Sequence, residues 1–182
     1  TQSGTSIANA SITVSGSQGL VGQGTTSLNG SYRIVLSSAG TFTVKASASQ
    51  YSPNSTTISC TLDQTVTLNL SLVKNGKLIG LVKDALSGTS IANTTAVLSK
   101  TQFIETRKTN STGYFTYESV SPGTYNLFVT ASNYRSNSTT VNINSNQTTI
   151  VQITLVPTGN ITGIVKEAAQ NNPLQGATVA LI

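Results

Sequence analysis

The sequence repeats itself, and this constrains the fold more than any other feature. Ser3-Gly4-Thr5-Ser6-Ile7-Ala8-Asn9 recurs unchanged as Ser87-Gly88-Thr89-Ser90-Ile91-Ala92-Asn93, an offset of 84 residues. Gly40-Thr41-Phe42 returns as Gly123-Thr124-Tyr125, and Tyr51 with Asn54-Ser55-Thr56-Thr57 returns as Tyr134 with Asn137-Ser138-Thr139-Thr140, an offset of 83. A third copy then opens, since Gly80-Leu81-Val82-Lys83-Asp84 reappears as Gly163-Ile164-Val165-Lys166-Glu167. The expected organisation is residues 1–75, residues 76–158, and the opening strands of a third unit in 159–182.

Within each copy the apolar period is two. Phe42, Val44, Ala46 and Ala48 alternate with polar residues, as do Tyr125, Leu127, Val129 and Ala131, and Val66, Leu68, Leu70 and Leu72 form another one-sided ribbon. Such strands bury one face and wet the other, the pattern of an antiparallel sandwich. Turn signals at Asn29-Gly30, Asn75-Gly76, Pro122-Gly123 and Thr158-Gly159 cut the chain at short intervals.

In order, Gly80-Leu81-Val82-Lys83-Asp84, Thr112-Gly113-Tyr114-Phe115 and Ser121-Pro122-Gly123-Thr124-Tyr125, running on to Asn133-Tyr134, resemble the carboxypeptidase regulatory-like domain. The first copy departs mildly, with Ala39-Gly40-Thr41-Phe42 in place of the Pro-Gly motif. The resemblance implies tandem seven-stranded transthyretin-like (Ig-like) β-sandwiches, the first without its opening strand, and a non-catalytic appendage or surface module.

Composition removes chemistry. The chain has no His, so imidazole-based triads and His-bearing zinc sites are excluded. Its five carboxylates, Asp63, Asp84, Glu105, Glu118 and Glu167, are dispersed singly, which proposes neither a glycosidase pair nor a calcium loop. No catalytic residue, metal or cofactor is expected. The net charge of +5 comes from ten cations without a basic stripe, unlike a nucleic-acid surface, and no apolar run is long enough to span a membrane. Cys60 reads as a small buried residue on a strand whose inward neighbours are Ile58 and Leu62. Lys83 and Lys166, on opening strands, read as solvated; a lysine crosslink of the kind found in Cna B-type modules is the minor reading.

Hydroxyl residues replace the usual charge, with 25 Ser and 30 Thr in 182 residues. Nine Asn-x-Ser/Thr triplets, at Asn9, Asn29, Asn54, Asn69, Asn93, Asn110, Asn137, Asn146 and Asn160, exceed the about five that chance gives for 16 Asn in this composition. N-linked glycans at several of them would guard strand edges that have few Lys and Glu to protect them. Few carboxylates also means little stability tied to their ionisation, which fits an exterior, acidic habitat such as an archaeal cell surface.

The first copy begins after its opening strand and the chain finishes with one. Donor-strand addition between molecules is one reading: Ile161, Ile164 and Val165 as donor, and the core around Ile12, Phe42, Val44, Leu68 and Leu70 as acceptor. A window of a longer array, in which the preceding repeat supplies the strand covalently, is the other. The expected function is a glycosylated extracellular structural and adhesion module in a head-to-tail, pilus-like filament; the alternative is an accessory or carbohydrate-binding stalk of a secreted hydrolase, with Phe128, Phe103 or Tyr114 free to stack on sugars.

Overall fold

Alternation of apolar and polar side chains produces strands because successive side chains point to opposite faces. The computed structural model describes residues 4–159 and 161–180, and their regular structure is entirely β. The strands are β1 (Ser11–Gly16), β2 (Gly19–Thr25), β3 (Gly40–Ser47), β4 (Tyr51–Ser52), β5 (Asn54–Cys60), β6 (Val73–Lys74), β7 (Gly76–Asp84), β8 (Thr95–Lys100), β9 (Phe103–Lys108), β10 (Tyr114–Val120), β11 (Gly123–Thr130), β12 (Asn137–Ile143) and β13 (Thr148–Leu155). In β11, Tyr125, Leu127 and Val129 are buried while Thr124, Asn126 and Phe128 face water, and β3 repeats this with Phe42, Val44 and Ala46 inward.

The second unit is a complete sandwich. One sheet has the order β10-β7-β13 and the other β12-β11-β8-β9. Leu78, Val82, Leu98, Tyr117, Leu127, Ile143 and Leu155 form the heart of the core between them. β7 is the central strand of its sheet, antiparallel to β10 and parallel to β13.

The first unit has one full sheet, β2-β1-β3-β5. Ile12, Val14, Phe42, Val44 and Ala46 are buried on its inner face, with Leu72 buried against them. Its opposite layer is made of two extended segments, 31–36 and 64–72, which form no ladder. Tyr32, Ile34, Leu36, Leu68 and Leu70 nevertheless pack against the core from these segments. The alternation from Leu68 to Leu72 therefore sets side-chain direction, whereas Val66, expected on the same inward face, is exposed, and the segment acquires no ladder partner among the described residues. Cys60 is half-buried, whereas Leu62 is 62% exposed. The expected inward pairing of Leu62 with Ile58 fails because β5 ends at Cys60 and the chain turns through Asp63, whose φ is +62°.

Asn75 ties the two units. Its N–H donates to the Gln50 carbonyl at 2.8 Å and its carbonyl accepts from Asn146 N–H at 3.2 Å. Its side chain accepts from Ser52 Oγ at 2.7 Å and donates to Ser119 Oγ at 2.9 Å.

Candidate functional site

β7 shows what an opening strand does when it is in place. Gly76, Leu78, Gly80, Val82 and Asp84 are all buried, and the residues between them are half-buried. Gly80 pairs with Phe115 on one side and Val151 on the other. A Cβ at Gly80 would lie 2.0 Å from Phe115 Cζ, so the ring lies directly on the glycine. At the strand's end Asp84 Oδ2 accepts from the Tyr134 hydroxyl at 2.8 Å, and Oδ1 accepts from the N–H groups of Leu86 and Ser87 at 2.7 and 2.9 Å.

These donors, first the Ser87 N–H, then the Tyr134 hydroxyl and the Leu86 N–H, hold the Asp84 carboxyl below its usual value of 3.8. A lowered folded-state value means that the stabilisation is fully present above the unfolded value and is lost as pH falls through the folded one. Melting followed from pH 7 to pH 2 is expected to change little down to about pH 4 and to fall below it. Asp84→Asn is expected to melt lower at pH 7 and to converge on wild type at pH 2; parallel profiles would remove the carboxylate from this role.

The corresponding place in the first unit is open. A groove of about 540 Å³ opens beside residues 68–72 and Tyr32, lined by Ile7, Ala10, Ile12, Tyr32, Leu68 and Leu70 among others. The Tyr32 hydroxyl crosses it, donating to the Leu68 carbonyl at 2.9 Å. Burial pushes the Tyr32 phenol up from its ordinary value. Of the expected acceptor residues, Phe42 and Val44 lie in the closed core, Ile12 is buried where the groove meets that core, and Leu68 and Leu70 are half-buried along the groove.

Residues 161–180 have no such cover. Ile161 is 86% exposed and Ile164 73%, and Val165 is also exposed. The backbone around them is nonetheless organised. Glu167 N–H to Asn172 O, Asn171 N–H to Glu167 O and Leu174 N–H to Val165 O reproduce Asp84 to Thr89, Gly88 to Asp84 and Ile91 to Val82, with every distance between 2.8 and 3.0 Å. The bridge Lys166↔Pro173 likewise reproduces Lys83↔Ser90. The turn that follows β7 is thus formed twice, once on a sandwich and once without one.

Eight of the nine sequon asparagines are exposed, and Asn160 lies outside the described residues. They fall into distinct settings. Asn110 Oδ1 accepts from the N–H groups of Thr112 and Tyr114, and Asn29 Oδ1 accepts from Ser31 N–H. In both turns the bonded atom is the oxygen. Asn54 and Asn137 instead use the amide nitrogen, each donating at 3.0 Å to a backbone carbonyl, Ser71 and Thr154 respectively. Asn9, Asn93 and Asn146 hold left-handed turn positions, and Asn69 stands outward between Leu68 and Leu70.

No enzyme-like cluster assembles among the described residues. Glu118 pairs with Lys77 at 2.9 Å on the surface, Glu105 pairs with Arg107, and no three carboxylate or thiol groups come together as a metal site. Phe103 packs edge-on against Tyr125 at 5.5 Å, and the exposed Phe128 and Tyr114 stand on different sheets. Among the described residues no helix is long and apolar enough to cross a membrane. The Asp84–Tyr134 bond, the Phe115–Gly80 contact and the Tyr32 bridge were not anticipated from the sequence. The recurrence of Tyr51 as Tyr134 and of an acid after Val-Lys was the available signal for the first of them.

Among solved structures, the chain is similar to the minor pilin GBS52 of Streptococcus agalactiae, at 15% identity and a TM-score of 0.54, covering 91% of this chain and 90% of that one. It overlaps more loosely with the shaft pilin SpaA of Lactobacillus rhamnosus GG, at 11% identity and a TM-score of 0.42 over 86% and 90% of the two chains. The overlap with 5-hydroxyisourate hydrolase of Klebsiella pneumoniae, at 18% identity and a TM-score of 0.38, covers 46% of this chain and 87% of that one. Only the first of these likenesses is close enough to support the fold. No curated protein matches the sequence. The family model for the carboxypeptidase regulatory-like domain matches residues 1–73 and again 77–156, and to that family, through two consecutive all-β sandwich units, this chain belongs.

Proposed function

We propose that the chain is a non-enzymatic, glycosylated structural and adhesion module of the cell exterior, built as sandwich units 1–75 and 76–158 with a joining segment 159–182, and that copies link head to tail into a pilus-like filament. The observation that carries this reading is a matched pair. Residues 159–167 repeat the sequence of β7, and the turn after them is already formed, yet their apolar side chains are exposed; the first unit holds an open groove where β7 lies in the second. Strand addition would cover the apolar residues and satisfy backbone groups on both walls of the groove. The pilin likeness of the fold agrees with this use.

Bulky sugars on the outer faces would keep the assembly linear by blocking lateral pairing of strand edges. Asn29 and Asn110, exposed and hydrogen-bonded through the side-chain oxygen, are the favoured carriers among the nine sequons. Asn54 and Asn137 serve as clamps on a neighbouring backbone.

The test uses the whole chain. Electron microscopy and sedimentation should show filaments, removal of residues 159–182 should leave monomers, and a peptide of residues 159–167 should raise the melting temperature of the truncated protein. Glycopeptide mapping of native material should find Asn29 and Asn110 occupied. A chain that stays monomeric at high concentration, together with a peptide that does not bind, would sink the filament. The stalk alternative requires a shared aromatic platform, and Phe128 and Tyr114 do not provide one.

A further inference from the structure

Gly163 stands in the tail where Gly80 stands in β7, and the first unit carries the counterparts of both residues that flank Gly80. Tyr32 corresponds to Phe115, since each lies two residues after a glycine of positive φ, Gly30 at +78° and Gly113 at +77°. Leu68 corresponds to Val151 at the same offset of 83. In the second unit these two positions sit on either side of Gly80. In the first they touch each other across the groove, through the Tyr32 hydroxyl and the Leu68 carbonyl.

We propose that Tyr32 sets the register and the sequence specificity of the groove: its ring admits an entering strand only where a glycine passes over it. This rests on the filament reading and names how the second copy docks. The tail then enters with Gly163 between Tyr32 and Leu68. Ile161 and Val165 take the inward positions that Leu78 and Val82 fill in the second unit, and Ile164 takes the half-covered outer position of Leu81. Glu167 arrives opposite Tyr51, as Asp84 lies opposite Tyr134. Tyr51 pairs with Lys74 as Tyr134 does with Pro157, so the partner is set in the same place in both units.

Other registers are penalised. A slip of one residue turns Ile161 and Val165 outward. A slip of two sets a branched side chain on the ring, where the geometry at Gly80 leaves no room even for a Cβ. The groove is therefore a receptor for an apolar-x-Gly-x-apolar strand followed by an acid two residues on.

Gly163 is suited to the test because nothing lies within 4 Å of a Cβ built on it, so a side chain there leaves the free subunit undisturbed. Full-length wild type, Gly163→Val and Ile104→Ser, the last an exposed apolar residue of β9 outside tail and groove, are compared by sedimentation and by melting of the dispersed subunit. Gly163→Val is expected to weaken association by about 10- to 100-fold or more with unchanged subunit melting, and Ile104→Ser to assemble as wild type does. If Gly163→Val assembles as wild type does, the register role of Tyr32 is wrong and the filament reading stands. If wild type itself does not assemble, both fall.

Discussion

Replacing Tyr117 with alanine is expected to cost the second sandwich about 3–5 kcal/mol, the range for removing a large aromatic from a closed core. Tyr117 is 0% exposed, and its hydroxyl donates to the Ala96 carbonyl at 2.9 Å, with the Glu105 carbonyl at 3.3 Å beyond it. Its ring meets Phe115 edge-on at 5.8 Å and lies under the Arg107 guanidinium at 5.5 Å. Burial, with a smaller contribution from the Glu105 charge, pushes the phenol up to about 12, so the hydroxyl stays a donor at any pH at which the fold is studied. Alanine loses the packing and leaves a cavity. Phenylalanine loses only the hydrogen bond and should cost about 1 kcal/mol. Since domains hold about 5–15 kcal/mol in all, urea denaturation followed by tyrosine circular dichroism should separate the two variants clearly. An alanine variant within about 1 kcal/mol of wild type would show that the core collapses onto the gap.

Gly80→Ala is expected to be as damaging, although it adds one carbon. Relief of chain entropy in the unfolded state favours alanine by about 0.4–1 kcal/mol. Against this stands a Cβ 2.0 Å from Phe115 Cζ, with further ring atoms at 2.3 and 2.6 Å. The ring cannot swing away freely, because it is 3% exposed and locked against Tyr117. Overpacking usually costs about 1–3 kcal/mol, and an overlap this deep belongs at or above the top of that range. Pairing the change with Phe115→Val should restore part of the loss, a coupling that a double-mutant cycle measures. Additive losses would mean that strand and ring do not share the space described.

The strands were legible in the sequence wherever one face is buried, because alternation in β3 and β11 is a direct image of which side meets the core. The same alternation indicated side-chain direction correctly for Leu68, Leu70 and Leu72 but not for the exposed Val66, and it overstated the ladder, since pairing depends on a neighbour that the pattern does not encode. Leu62 failed for a local reason: the left-handed turn at Asp63 ends the alternation that Ile58 and Cys60 had begun. The contacts that define the groove were hidden by sequence distance. Asp84 and Tyr134 lie 50 residues apart, and Tyr32 and Leu68 lie 36 apart. Repetition made the place of Gly163 readable only once the contact at Gly80 was known.

The parallel pairing of β7 with β13 has a consequence for load. The first and last strands of the second unit run side by side in the same direction through eight successive pairs, from Thr148↔Lys77 to Leu155↔Asp84. Tension applied to the two ends pulls these strands in opposite senses along their common axis. The slanted, evenly spaced bonds of a parallel ladder are then sheared together, whereas strands pulled apart from one end would part bond by bond. A docked tail in the parallel position beside Leu68 would place the joint between subunits under the same shear, so that link and unit would resist stretching by one common geometry.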